Sequence, residues 1–180
     1  MSFRSCIPVL LALGLLLCTV AVSQTPEAGV FPKLTAANLN GKSFSMPGGF
    51  AGNLNIVLIA FEREQQKELD TWLAVLPKAL EGFPKVSYYE LPTIARLNSM
   101  ARWFIDTGMR SGIHDKAQRE RTITLFIDKK PFTESLHIQS EKTVYAMLID
   151  REGKVLWRAD GVANAEKESS LKAALERTAK

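Results

Sequence analysis

Hydrophobic positions along this chain follow two different periods, one typical of strands and one typical of helices. Ile56–Phe61 is a short, unbroken apolar run, which predicts a strand buried on both faces of a sheet. Apolar residues then recur at three- and four-residue steps, which predicts an amphipathic helix. The apolar stripe of this helix consists of Leu69, Trp72, Leu73, Leu76 and Leu80. The polar residues 62–66 therefore lie at a strand-to-helix junction, where open α/β sheets place ligands because free backbone N–H groups point outward.

The rest of the pattern predicts five further strands and three further helices. The strands are Lys42–Met46, Lys85–Leu91, Thr122–Ile127, Thr143–Ile149 and Lys154–Asp160. The second helix is short and covers Phe132–Ile138, and the third begins after Asn164. The first of the three is predicted from an apolar stripe that consists of Ile94, Leu97, Ala101, Phe104, Ile105 and Met109. Pro92 is expected to end its strand, and Pro77 is expected to kink or shorten the first helix.

The order of these elements specifies a fold class. Strands and helices alternate as β-β-α-β-α-β-α-β-β-α, which predicts a mostly parallel sheet with helices on both faces. Asp150–Gly153 has Asp first and Gly last, as a type I turn prefers, so the last two strands are predicted to form a hairpin at an antiparallel edge. The prediction is an α/β fold of the thioredoxin-like kind. It is a three-layer α/β/α sandwich with a mixed, mostly parallel sheet and a C-terminal β-hairpin-α unit.

The beginning of the chain has the layout of a secretory signal peptide. Arg4 precedes the apolar stretch Ile7–Val22. Ala21 and Ser23 then place small residues at the −3 and −1 positions of a cleavage before Gln24. We therefore expect an exported protein, periplasmic or extracellular.

This layout divides the chain into a signal peptide over 1–23, an N-terminal lead-in over 24–41 and one thioredoxin-like domain over 42–180. Two alternatives remain open. The apolar stretch is long for a signal peptide, so an uncleaved membrane anchor is one of them. Attachment of a lipid through Cys18 is the other, and Leu17 disfavours it because a small residue is expected at that position.

Composition excludes several classes of function. A hydrophobic content of 46% and a charged content of 23% are ordinary for a globular chain, and the net charge of +4 is modest. No motif for nucleic-acid binding is present. The two cysteines are Cys6 and Cys18, so a chain that begins at Gln24 has no thiol and no disulfide.

Several stretches resemble the thioredoxin-like proteins. The strand IVLIAF, the helix around Trp72 and the ending TVYAMLIDREGKVLWRADG carry this resemblance, which covers roughly Phe31 to Leu175. Within these proteins the resemblance is strongest to the ATPase-assembly-factor branch. The stretches FEREQQKELDTWL, YYELPT, ARWFIDTGMRSGI and RERTITLFID resemble a bacterial secreted group related to that branch. The mitochondrial member of that branch helps to assemble the membrane sector of ATP synthase. The resemblance therefore implies a protein partner and a role in assembling a membrane complex.

The chain departs from the redox members at both parts of their site. Those members carry Cys-x-x-Cys at the strand-to-helix junction, where the helix N-terminus lowers the pKa of a thiol. Residues 62–67 contain no cysteine here. The redox members also carry a proline before the first strand of the hairpin, where this chain has Glu141, Lys142 and Thr143. The assembly-factor branch also lacks the cysteine pair, so we predict a non-redox protein that acts by protein binding and has no cofactor.

Candidate site residues fall in three segments. They are Glu62, Arg63, Glu64, Gln65 and Gln66 at the junction, Pro92, Thr93 and Arg96 after the next long strand, and Arg110 and His114 in a basic segment. Loops after neighbouring parallel strands emerge at one edge of a sheet, so the first two segments are expected to lie side by side. The alternative interpretation is that the acids are favoured by the helix dipole alone and that the basic segment is a solvated loop.

Other chemistries have less support in the sequence. His114 and His137 are the only histidines and are far apart, so no metal site is predicted. No Ser/His/Asp constellation is present either. Two alternatives to protein binding remain open, an enzyme of a non-thiol class and a protein that binds a small molecule or an anion. Both would use the cleft at the strand-to-helix junction.

Overall fold

The computed structural model describes residues 29–179, so the predicted signal peptide and its cleavage site lie outside the described residues. The strands are β1 (Leu34–Ala37), β2 (Ser43–Met46), β3 (Leu54–Ala60), β4 (Val86–Ala95), β5 (Leu125–Ile127), β6 (Tyr145–Asp150) and β7 (Val155–Asp160). The helices are α1 (Gln66–Ala79), α2 (Ser99–Gly112), α3 (Lys116–Arg121), α4 (Lys129–Ser135) and α5 (Ala165–Thr178). A 3₁₀ turn, Arg63–Gln65, precedes α1. Within the described range no helix is both long and apolar enough to cross a membrane.

A five-stranded sheet of order β5-β4-β3-β6-β7 forms the centre of the fold. β3, β4 and β5 run parallel, whereas β6 pairs antiparallel with both β3 and β7. The hairpin turn closes where the Gly153 N–H donates to the Asp150 carbonyl at 3.2 Å. Gly153 has a φ of +90°, which favours glycine at this position. The predicted thioredoxin-like α/β class, with its mixed sheet and C-terminal β-hairpin-α unit, is confirmed.

β3 divides the core into two halves. All seven of its residues are buried, and alternate side chains point to opposite faces of the sheet. Ile56 and Leu58 join the core under α1 and α5, whereas Val57 and Ile59 join the core under α4. In the first core, Trp72 has no exposed surface, and its indole N–H donates to the Gly161 carbonyl at 2.8 Å. The unbroken apolar run is therefore explained by burial on both faces.

The last helix begins where its sequence predicts. The Asn164 side chain accepts a hydrogen bond from the Lys167 N–H at 2.9 Å, as an N-cap residue does. The predicted stripe of Leu171, Ala174 and Leu175 is buried. In α1 the helix continues through Pro77 to Ala79, so the proline does not cut it short.

The prediction that Pro92 ends its strand was wrong. β4 pairs with β3 as far as Pro92 and with β5 from Thr93 onward. The proline therefore lies where the strand changes partners, and its missing N–H is tolerated there. β5 is shorter than the predicted Thr122–Ile127, because Thr122 and Ile123 form only isolated bridges.

The second amphipathic helix also differs from its prediction. α2 begins at Ser99 and is capped by Asn98, whose side chain accepts the Ala101 N–H at 2.9 Å, whereas Ile94 belongs to β4. None of its residues is buried, and Phe104 is 62% exposed. The predicted amphipathic helix is present, but its apolar face is not fully buried, because periodicity identifies an apolar face without identifying what covers it.

Two elements were missed. β1 pairs antiparallel with β2, and Phe31 is 1% exposed, so residues 29–41 are packed onto the domain although the sequence placed them in a lead-in. α3 occupies part of the basic segment that was interpreted as a loop. Its N-cap is Asp115, whose side chain accepts the Ala117 N–H at 2.9 Å. Both elements are short, so their hydrophobic periodicity is weak.

Candidate functional site

A cleft of about 750 Å³ opens at the carboxyl ends of β3 and β4. Its walls are the junction after β3, the end of β4, α2 and α3. Six candidate residues line it: Glu62, Arg63, Gln66, Pro92, Thr93 and His114. The structure thus brings members of all three predicted segments to one surface. Pro92 and Thr93 belong to β4 itself, however, and Arg96 on the loop after β4 is not part of this surface.

Four other candidates, including the buried Gln65, lie outside the cleft lining. Glu64 and Arg110 are exposed and are not part of its lining. Arg96 lies in a separate open hollow of about 470 Å³, together with Asp128 and Lys129. The exposed position of Arg110 on α2 leaves it available to a partner but not to a molecule bound in the cleft.

Gln65 has a structural role. It is 4% exposed, and its side-chain oxygen accepts hydrogen bonds from the N–H groups of Phe61 at 2.8 Å and Glu62 at 3.3 Å. Its side-chain amide donates to the Glu141 carbonyl at 2.6 Å. Gln65 therefore fixes the backbone of the junction and links it to the segment before β6. An ion pair between Lys129 and Glu141 links the same segment to the start of α4.

The cleft walls are mainly apolar. The apolar side chains that line it include Phe61, Leu69, Ile105, Met109 and Ile113. On α2 the wall also contains Gly108 and Gly112, where an added Cβ would meet no atom within 4 Å. The two glycines therefore leave open space that larger side chains would fill. An occupant of this cleft needs an apolar body of matching size.

Glu90 is the polar group that sequence reasoning missed. It lies in β4, lines the cleft and is only 3% exposed. Burial raises the pKa of its carboxyl to about 7, and this effect exceeds the opposing influence of a Gln118 hydrogen bond and the charge of Arg121. Its Oε1 atom is inaccessible and has no hydrogen-bond partner. The sequence contained one indication of this site, an acid within the apolar and aromatic strand stretch YYEL. Acids are rarely buried without a partner, so an acid in a predicted buried strand suggests a special role.

The outer side of α2 exposes large apolar side chains. Met100 is 70% exposed, Trp103 61% and Phe104 62%. The rings of Trp103 and Phe104 pack edge to face with centroids 5.0 Å apart. Arg102 and Arg110 are exposed on the same helix. We call Met100, Trp103 and Phe104 the α2 patch.

Within the described part of the chain, the site contains no thiol and no metal-binding cluster. The junction presents Glu62, Arg63 and Gln66 where redox relatives have a thiol, and the described residues contain no cysteine. Within residues 29–179 no cluster of His, Cys, Asp and Glu side chains could hold a metal ion. The arrangement offers an apolar cleft, one buried carboxyl group and a neighbouring exposed apolar patch.

Comparisons with solved structures agree with the fold. A thioredoxin domain of a thiol-disulfide oxidoreductase from Bacteroides vulgatus matches with a TM-score of 0.52 and 19% identity, over 82% of this chain and 96% of that chain. BsSco, a member of the Sco family of cytochrome c oxidase assembly proteins, matches with a TM-score of 0.53 and 13% identity, over 82% of this chain and 94% of that one. A protein of Aquifex aeolicus with a proposed role in electron transfer matches with a TM-score of 0.57 and 12% identity, over 85% and 97%. At these identities the likeness concerns the fold alone.

Sequence comparison identifies the family. No curated protein matches the chain. The family model described as ATP10 protein matches residues 19–177, which is most of the chain and includes every element that forms the cleft. The chain therefore belongs to the ATP10 protein family, a family of assembly factors.

Proposed function

We propose that this protein is a non-redox assembly factor that binds a protein component of a membrane complex outside the cytoplasm. Family membership supports the assembly role and a protein partner. The main observation in favour of a non-redox protein is the absence of cysteine from the junction between β3 and α1. Thiol-disulfide exchange begins with attack by a thiolate, and residues 24–180 contain no cysteine to form one.

The α2 patch supports protein binding. Interface cores are enriched in aromatic residues, Met and Arg, and Trp and Arg recur among the residues that dominate binding energy. α2 exposes Trp103, Phe104 and Met100 beside Arg102 and Arg110, while its inner side lines the cleft. A partner that covers this helix would bury the patch and could insert a side chain into the cleft.

The proposed location rests on the sequence of the leader. Residues 1–23 have the layout of a signal peptide, and a family member that works on a membrane complex from outside the cytoplasm would need one. If the leader is retained as an anchor, the domain is held at the same side of the membrane. In both cases the domain would lie outside the cytoplasm.

A crosslinking pull-down from the native envelope fraction tests the proposal. The test variant combines Trp103→Ser with Phe104→Ser, and the matched control is Lys172→Glu, an exposed change on α5 in another layer of the fold. We expect wild type and control to capture the same membrane-complex protein. We expect the double variant to capture it roughly tenfold less well, because truncating interface anchors costs more than about 1.4 kcal/mol.

Two outcomes would contradict the proposal. Equal capture by all three proteins, with equal melting temperatures, would exclude the α2 patch as the binding surface. A defined small molecule that copurifies in native mass spectrometry, without any captured protein, would favour the alternative of a small-molecule carrier that uses the cleft.

A further inference from the structure

Glu90 is the buried acidic residue of the cleft lining. The residue is 3% exposed, and its Oε1 atom has neither solvent contact nor a hydrogen-bond partner. A buried carboxyl oxygen without a donor is costly, and native structures seldom retain one without a reason. The fold could have avoided this cost with an apolar side chain of similar size. Gln118, Thr122 and Arg121 act on the carboxyl group, yet none of them donates to Oε1, so this oxygen can still accept a hydrogen bond from an occupant of the cleft.

The surroundings of Glu90 specify the kind of donor. An occupant must have an apolar body to match Phe61, Leu69 and Ile105, and a polar end that donates hydrogen bonds to the carboxyl group. An anion would be repelled by that group. Lysine and arginine side chains have this form, because their methylene stems pack against apolar surfaces while the charged end reaches a polar group.

We propose that the cleft receives a lysine or arginine side chain of the bound protein, with its methylene stem along the apolar walls and its cationic end on Glu90. This inference rests on the proposed function, since it assumes that the occupant belongs to a protein segment. The open space at Gly108 and Gly112 gives the side chain room to enter between α2 and the ends of the strands.

Other charged groups around Glu90 determine how the pairing depends on pH. Arg121 on α3 favours the ionised carboxyl, and Asp70 on α1 disfavours it. His114 and the pair Glu62 and Arg63 lie on the cleft lining. Because burial holds the pKa of Glu90 near 7, a cation that pairs with it should displace a proton. Binding of a cation should therefore strengthen as the pH rises from 6 to 8.

Blocked peptides test this inference on the full chain. The probes are the acetylated and amidated peptide Ala-Leu-Lys-Leu-Ala and two versions in which norleucine or glutamate replaces the lysine. Norleucine keeps the stem and removes the ammonium group. At pH 8 we expect the lysine peptide to bind about tenfold more tightly than the norleucine peptide, since a hydrogen bond to a charged group adds roughly this factor. The glutamate peptide should bind least.

Three variants test which residues produce the preference for the lysine peptide. Glu90→Gln keeps the shape and should remove both the preference for lysine and its increase between pH 6 and 8. Glu176→Gln, an exposed change on α5 outside the cleft lining, is the matched control and should keep both. Gly108→Leu with Gly112→Leu should remove cleft binding of every peptide, and leucine favours a helix over glycine, so this variant should still fold. Any peptide binding that this double glycine variant retains comes from contact with other parts of the chain. This residual binding is subtracted from the binding measured for wild type and the other variants.

The possible results separate this inference from the proposed function. Equal affinity for the lysine and norleucine peptides, or a lysine preference that survives in Glu90→Gln, overturns the inference. If no peptide binds while capture of the native protein still depends on Trp103 and Phe104, the cationic occupant is refuted and the proposed function stands. If native capture does not depend on the α2 patch, the proposed function fails whatever the peptides do.

Discussion

Replacing Glu90 with glutamine should change how the stability of the folded chain depends on pH. The Glu90 carboxyl titrates near 4.5 in the unfolded chain and at about 7 in the folded protein, because burial disfavours its charged form. Between these pH values the folded protein binds more protons than the unfolded chain. The free energy of unfolding therefore falls as the pH rises through this window, and the whole cost is present above pH 7.

The size of the effect follows from the two pKa values. Each pH unit between them corresponds to about 1.4 kcal/mol, so ionising Glu90 costs the folded protein on the order of 3 kcal/mol at pH 8. Glutamine has a similar shape and carries no charge at any pH in this range. Glu90→Gln should therefore match wild type near pH 4.5 and exceed its free energy of unfolding by up to about 3 kcal/mol at pH 8.

Urea unfolding, followed by tryptophan fluorescence at pH 4.5, 6, 7 and 8, measures this difference. The buried Trp72 reports on the core. The control variant is Glu176→Gln, an exposed change on α5, and it should follow wild type across the range. If the difference between Glu90→Gln and wild type stays constant from pH 4.5 to 8, Glu90 does not carry a raised pKa. The argument from its burial would then be refuted.

Three further predictions concern chemistry, binding and processing. Insulin-reduction and disulfide-isomerisation assays on residues 24–180 should match the buffer blank, because no thiolate is available, and reproducible turnover would contradict the non-redox proposal. Arg63→Glu combined with Arg110→Glu should weaken partner capture while each change alters stability by less than about 0.5 kcal/mol, whereas Lys172→Glu should leave capture unchanged. The reverse pattern would place the binding surface on α5. N-terminal sequencing of the exported protein should give Gln24 as the first residue, and a mature chain that still begins at Met1 would establish the anchor instead.

Local patterns were sufficient for much of the fold. The apolar run of β3, the N-cap of α5 at Asn164 and the turn Asp150–Gly153 each depend on residues close together in the chain. Backbone geometry, capping and turn preferences act over a few residues, so they can be inferred from a short stretch of sequence. Their order then predicted the thioredoxin-like class. The absence of cysteine from the junction could also be established without a structure.

Predictions failed where a feature depends on which distant element covers it. Pro92 continues β4 because the strand changes partners there, and Phe104 is exposed because nothing among the described residues covers that side of α2. Gln65 looked like a ligand-cleft residue, yet its amide fastens the junction to Glu141, 76 residues away in the chain.

The cleft itself was decided by tertiary structure. The sequence placed candidate residues on the loops after β3 and β4, because parallel strands share a carboxyl edge. It did not show that α2 would line the cleft with Gly108 and Gly112, or that Glu90 would be buried there. Burial and an unsatisfied hydrogen bond depend on every atom within a few ångströms of the carboxyl group. Those atoms come from strands and helices far apart in the chain, which only the folded structure brings together.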